Sequence, residues 1–205
     1  LYYTDYNRTI HSLSLSGTDD NVVKTSFNTP AGVSFYNQKL YVSDENAVNR
    51  NYRFEPDGSS PEIIHDQLDG LIQPKSVFGF NNQLYFLDQN SIRKSDLDGS
   101  NVVVLINSIS SSAIKLVVAN NKIYWIDSQT INSSNLDGTN QQVLTDEGTD
   151  FKGLWVDSSF IYWSVNNAGA RVIKKALLDL SSETILISSA TSPTGLSSLN
   201  DLTVL

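Results

Sequence analysis

A chain of 205 residues, 40% hydrophobic and 18% charged, is long enough to bury a sizeable core, and its composition excludes a disordered polymer. Its formal net charge of -8, from 14 Lys and Arg against 22 Asp and Glu, argues against a nucleic-acid partner and makes a basic one electrostatically easier. Without cysteine there is no disulfide, thiolate metal site or cysteine nucleophile, and without methionine, even at position 1, a processed or trimmed chain is expected.

The first unit, near residues 1–27, opens on Leu1-Tyr2-Tyr3-Thr4-Asp5 and continues through His11, a turn at Ser16-Gly17 and the β-branched pair Val22-Val23. The second, near 28–66, adds an apolar run Val33-Ser34-Phe35 before Leu40-Tyr41-Val42-Ser43-Asp44, then turns at Asp57-Gly58 and ends on Ile63-Ile64. The third, near 67–107, has Val77 to Phe80, Leu84-Tyr85-Phe86-Leu87-Asp88, an alternating run Ile92 to Leu97, Asp98-Gly99 and Val102-Val103-Val104. The fourth, near 108–146, has Leu116-Val117-Val118, Ile123-Tyr124-Trp125-Ile126-Asp127 and Asp137-Gly138. The fifth, near 147–190, has Leu154-Trp155-Val156, Ile161-Tyr162-Trp163-Ser164-Val165, Val172 to Leu177 and Ile185-Leu186-Ile187, with Val165 at the Asp position and no Asp-Gly turn.

Successive motif tyrosines are 39, 44, 39 and 38 residues apart. Each unit reads as four short strands, A to D, rich in Val, Ile, Tyr, Phe and Trp, with the Gly turn joining C to D. Units of this length with four strands are propeller blades, which bury their faces by stacking on neighbours. No stretch has helical periodicity, so an all-β propeller of about five antiparallel blades, forming a single domain over 1–205, is predicted. No apolar run reaches the roughly 18 residues of a membrane span, so direct membrane insertion is not expected.

The first unit lacks a strand A, whereas the chain closes on Asp201-Leu202-Thr203-Val204-Leu205. Aligned on the tyrosines, Val33, Val77, Leu116, Leu154 and Leu202 share a column, as do Phe35, Gly79, Val118, Val156 and Val204. The run at 199–205 is therefore expected to supply strand A of the N-terminal blade, bringing Leu205 within roughly 10 Å of Leu1.

Tyr-[Tyr/Trp]-x-Asp followed by Leu-Asp-Gly-[Ser/Thr], best seen from Tyr85 to Ser100 and Tyr124 to Thr139, resembles the YWTD repeats of the low-density-lipoprotein receptor family. That family usually has six blades and this chain shows five repeats. The resemblance implies a noncatalytic module that is extracellular, on the cell surface or periplasmic. It would bind a protein or peptide ligand, basic in view of the charge, on the top face built by the B–C and D–A loops. A monomeric domain without cofactor or metal is expected. Fold alone does not fix function, so a structural spacer and a metal-dependent lactonase-like hydrolase stand as alternatives.

The candidate contact residues lie in those loops. Tyr6 and Arg8 follow the first motif, Glu45 and Asn46 the second, and Gln89 and Asn90 the third. Asn166 and Asn167 follow the fifth, while Leu71, Ile72 and Phe151 stand in D–A loops. The motif carboxylates Asp5, Asp44, Asp88 and Asp127 recur once per blade and read as structural acceptors rather than metal ligands. His11 and His65, on strands C and D, read as surface residues. Glu45, Glu55, Glu62, Glu147 and Glu183 fall outside strand A, which only Asp157 and Asp201 flank, so a lactonase-like cation site lacks its ligands. Of the two glycosylation sequons, Asn7-Arg8-Thr9 and Asn132-Ser133-Ser134, neither decides a function.

Overall fold

The computed structural model describes residues 1–5, 7–14, 16–45, 47–127, 129–146, 150–167, 170–189 and 202–203. Alternating β-branched and aromatic runs separated by Asn, Asp and Gly turns form five four-stranded antiparallel sheets arranged as a propeller. Blade one holds β1 (Tyr2–Thr4), β2 (Ile10–Leu13) and β3 (Asp20–Lys24). Blade two holds β4 (Pro30–Tyr36), β5 (Lys39–Asp44), β6 (Arg50–Phe54) and β7 (Glu62–His65). Blade three holds β8 (Pro74–Phe80), β9 (Gln83–Asp88), β10 (Ser91–Asp96) and β11 (Val103–Ile106). Blade four holds β12 (Lys115–Ala119), β13 (Lys122–Ile126), β14 (Thr130–Asn135) and β15 (Gln142–Asp146). Blade five holds β16 (Asp150–Val156), β17 (Phe160–Asn167), β18 (Ala170–Leu177) and β19 (Thr184–Ser189). The fourth strand of blade one is β20 (Leu202–Thr203), which pairs antiparallel with β1 through Tyr2 with Thr203 and Tyr3 with Leu202. The C-terminal clasp is thus present, although Leu205 lies outside the described residues.

Apolar clusters fill four inter-blade boundaries. Tyr2 and Ile10 pack on Val33, Leu40 and Val42 between blades one and two. Tyr41 and Ile64 meet Val77, Leu84 and Phe86 between two and three. Tyr85, Leu87 and Ile106 meet Leu116, Ile123 and Trp125 between three and four. Tyr124 and Ile126 meet Phe151, Ile161 and Trp163 between four and five. Among the described residues no such cluster occupies the boundary between blades five and one.

Burial along the second strands records the same asymmetry. Leu40 to Asp44 and Leu84 to Asp88 are buried without a break, because neighbours cover both faces. In blade one, Tyr2 and Thr4 are buried while Tyr3 is partly exposed; in blade five, Ile161, Trp163 and Val165 are buried while Tyr162 and Ser164 are not. That period of two marks a sheet that the described residues cover on one face only.

The C–D turns sharpen the point. Gly58, Gly99 and Gly138 have φ between +79° and +88°, and a Cβ on each would stand 2.0–2.3 Å from the carbonyl oxygen of Val23, Ile64 or Leu105 in the preceding blade. Gly17 holds the equivalent turn of blade one, and a Cβ there would meet nothing within 4 Å. The fifth unit makes this turn without glycine: Leu180 takes φ +62°, its amide donates to the Leu177 carbonyl at 2.8 Å, and Asp179 Oδ1 accepts the Ser181 amide at 2.9 Å.

Candidate functional site

The top face is shaped first by how the motif carboxylates are engaged. Asp44, ending β5, accepts the amides of Asn28 at 3.0 Å and Thr29 at 2.6 Å. Asp88, ending β9, accepts those of Ile72 at 3.0 Å and Gln73 at 2.7 Å, and its other oxygen lies 3.2 Å from Arg93 Nη2. Both therefore pin the loop entering strand A to the end of strand B in the same blade. Asp5 and Asp127 act locally: Asp5 accepts from Asn7 and Thr9, and Asp127 accepts the amides of Gln129 at 2.9 Å and Thr130 at 2.8 Å. Burial pushes the Asp44 carboxyl up against the pull of its amide donors, while hydrogen bonds from Thr9 and Asn7 outweigh desolvation and hold Asp5 below its ordinary value. Among the described residues, no three His, Asp or Glu side chains converge to hold a metal ion.

The candidate contact residues separate into three groups. Arg8 is exposed with φ +66°, Asn90 and Ile72 are exposed, and Glu45 and Gln89 are partly covered. Burial pushes the Glu45 carboxyl up, opposed by Lys75 and by a hydrogen bond from Gln73. Lys75 donates to the carbonyls of Ser111 at 2.7 Å and Ala113 at 3.1 Å, bridging the mouths of blades three and four. Leu71 and Phe151 are corrected: both are buried core residues, 3% and 0% exposed. Leu71 turns inward beside Tyr41 and Val77. Phe151 lies inside β16, where an irregular register between Phe151 and Gly153 starts the strand earlier than the apolar run at Leu154 indicated. Asn166 and Asn167 belong to β17 rather than to a loop. Tyr6 and Asn46 lie outside the described residues.

The histidines are corrected as well. His65 is fully buried, bonded to Asn51 and Ser95, with its ring tilted against Phe86 at a centroid distance of 4.5 Å. His11 is largely covered, stacked on Tyr3 at 4.9 Å with Nδ1 2.9 Å from Asp20 Oδ1. Asp150 opens β16 and is a strand-A carboxylate that spacing had left outside the strand. Lys115 in β12 is also buried, and burial pulls its ammonium down to about 7.

Spacing missed a cavity of about 230 Å³ on the top rim of blade two. Ala47, Val48 and Arg50 line it from the B–C side, and Asp66, Gln67 and Leu68 from the D–A loop. That loop holds a 3-10 turn, Gln67–Asp69, fixed by reciprocal caps: Asp66 accepts the Leu68 amide at 2.7 Å, and Asp69 accepts the Asp66 amide at 3.0 Å. Gly70 ends the turn at φ +76°. Leu68 stands at its tip, 95% exposed. The sequence signal was Leu68 itself, an apolar residue inside Asp66-Gln67-Leu68-Asp69-Gly70.

No protein-family model and no curated protein matches this chain in sequence. Among solved structures it is similar to nidogen, from a nidogen/laminin complex, at 16% identity over 98% of this chain and 96% of that chain, with TM-score 0.75. A protein assigned as TolB from Agrobacterium tumefaciens aligns at 14% identity over 92% of this chain and 81% of that one, TM-score 0.70. Regucalcin, a calcium-binding protein of the same bacterium, aligns at 12% identity over 93% and 70%, TM-score 0.63. At these identities the likeness establishes the propeller fold and leaves the role to the site itself.

Proposed function

We propose that this chain is a noncatalytic recognition module, a divergent relative of the YWTD propellers, that binds a protein or peptide on its top face outside the cytoplasm. The observation that carries the reading is a division of labour on that face. The most regular polar set, Asp5, Asp44, Asp88 and Asp127, is engaged in holding loops, whereas Leu68 and Ile72 stand in water on a loop fixed by the Asp66 and Asp69 caps and by Asp88. Exposed apolar side chains on a pre-ordered loop suit contact with a partner, because little ordering entropy remains to be lost on binding. The nidogen/laminin complex gives a precedent for a protein partner on this fold. The acidity of the chain favours a basic partner surface and faster encounter with it.

The test is capture from the native surface proteome by the wild-type chain and by a Leu68→Ser/Ile72→Ser variant. Loss of a captured protein with the variant supports the reading. Identical capture by both removes this loop from the proposed face.

A further inference from the structure

We propose that the uncovered face of blade five is a docking surface for a β-hairpin of a partner protein whose turn is Asp-Gly. It lies on the side of the blade away from blade four and apart from the top-face loops, so its failure would leave the recognition reading untouched.

The filled boundaries show what such a surface takes. On the last strands of blades one, two and three, an irregular register leaves Val23, Ile64 and Leu105 without a partner across the sheet. The carbonyl of each meets a glycine of the next blade, at Gly58, Gly99 and Gly138, so closely that only a residue without Cβ fits. An aspartate precedes each of these glycines. Blades two and three also place a cation opposite the motif tyrosine, Arg53 across from Tyr41 and Lys94 across from Tyr85. Arg53 Nη1 donates to the Leu97 carbonyl of the next blade at 3.0 Å. Asp98 and Asp137 lie below the usual carboxylate range, held there first by hydrogen bonds from Ser100 and Thr139 and also by Arg53 and Lys94 across the boundary.

Blade five repeats every part of that surface. The same irregular register leaves Leu186 unpaired, and Lys175 stands opposite Tyr162, which occupies the column of Tyr41, Tyr85 and Tyr124. Ile185, Leu186 and Ile187 are 57%, 45% and 50% exposed, and Tyr162, unlike the other three tyrosines, is not buried. The Lys175 ammonium rests 4.6 Å over the Phe160 ring, in the field of Asp157, and among the described residues it forms no ion pair with another blade.

The chain itself does not supply the occupant. The turn of blade one has Gly17 but Ser16 in place of aspartate, and that hydroxyl is engaged with Ser14 and Thr18 at 2.9 Å each. A Cβ on Gly17 would meet nothing within 4 Å, so this turn does not reach Leu186. A second copy offers no free Asp-Gly turn, because Gly58, Gly99 and Gly138 are all pressed against their own neighbours. A hairpin from another protein fits: its glycine against the Leu186 carbonyl, its aspartate toward Lys175 and its strands over Ile185 and Ile187.

The probe is a head-to-tail cyclised peptide carrying residues 131–144, the Asp137-Gly138 hairpin, titrated into the isotopically labelled full chain. Its cross-strand contacts are recorded first, so that the ligand offered is a folded hairpin. Saturable amide shifts are expected at Tyr162, Lys175 and Ile185 to Ile187. The Gly138→Ala peptide should bind at least about 10-fold more weakly, from left-handed backbone and the carbonyl contact together. The Asp137→Asn peptide should bind the wild-type chain about 2- to 5-fold more weakly, the size of an exposed ion pair, and Lys175→Gln should bind the two peptides equally. No saturable shift on blade five, or equal binding of the Gly138→Ala peptide, overturns the proposal. Nuclear Overhauser contacts between Gly17 and Leu186 in the free chain would overturn it in favour of blade one. Shifts at β19 that follow protein concentration alone would overturn it in favour of a second copy.

Discussion

His65 Nε2 lies 3.0 Å from Ser95 Oγ, joining the last strand of blade two to the third strand of blade three. The directions of the bonds follow from their neighbours. Ser43 donates to Asn51 Oδ1, so Asn51 Nδ2 donates to His65 Nδ1, and His65 Nε2–H donates to Ser95, whose hydroxyl donates on to the Asp96 carbonyl. Every member is satisfied with the imidazole neutral, and protonation would put a second donor against the Asn51 amide.

Burial pulls the His65 imidazole down to about 4, with Asp69 opposing and Arg93 assisting. The folded chain therefore binds fewer protons than the unfolded chain between pH 6.5 and 4. Its contribution is complete above pH 6.5 and is lost as pH falls through 4, a loss of about 3 kcal/mol. Urea unfolding at pH 7 and pH 4 should show this loss in the wild type, and His65→Leu should be less stable at pH 7 but lack that step.

Ile106 and Ile187 hold the same position on the last strands of blades three and five, opposite Ile92 and Ile173. Ile106 is 4% exposed beneath blade four, and Ile187 is 50% exposed. Ile106→Ala should cost about 2–4 kcal/mol and Ile187→Ala less than about 1 kcal/mol in denaturant midpoints converted to free energy.

Asp88→Ala removes the acceptor of two loop amides, whereas Asp127→Ala releases amides within its own turn. The first should destabilise the chain by roughly 2–4 kcal/mol and accelerate amide exchange at Ile72 and Gln73. The second should cost about 1 kcal/mol with exchange changes confined to Gln129 and Thr130.

Much of the fold is legible in the sequence because two signals repeat in phase. The motif tyrosines Tyr2, Tyr41, Tyr85 and Tyr124 pack in the clusters between blades, and Gly58, Gly99 and Gly138 are required both by their backbone angles and by the neighbouring carbonyl. The match of Leu202 to Leu154 and its column likewise foretold the pairing of β20 with β1. What was not legible depends on the adjacent blade or on register. His65 shares a position with Lys24, Ile106, Thr145 and Ile187, so its own strand gives no hint that blade three covers it. Phe151 was hidden by the irregular register that follows it, and the loss of glycine at Leu180 concealed a turn that forms regardless. The cavity beside Arg50 joins residues from two separate loops of one blade, which spacing along the chain does not connect.

The recognition face rests on a propeller whose first four inter-blade boundaries are packed and whose described residues leave the boundary between blades five and one uncovered. Paired unfolding of Gly99→Ala and Gly17→Ala tests this most directly. Both positions take left-handed backbone, worth about 1–2 kcal/mol against any L residue. At Gly99 the added Cβ also meets the Ile64 carbonyl, so that variant should lose roughly 3–5 kcal/mol, while Gly17→Ala should lose only the backbone share. Equal losses at the two positions would show that blade five packs against Gly17 as the other blades pack against theirs, and would contradict the account.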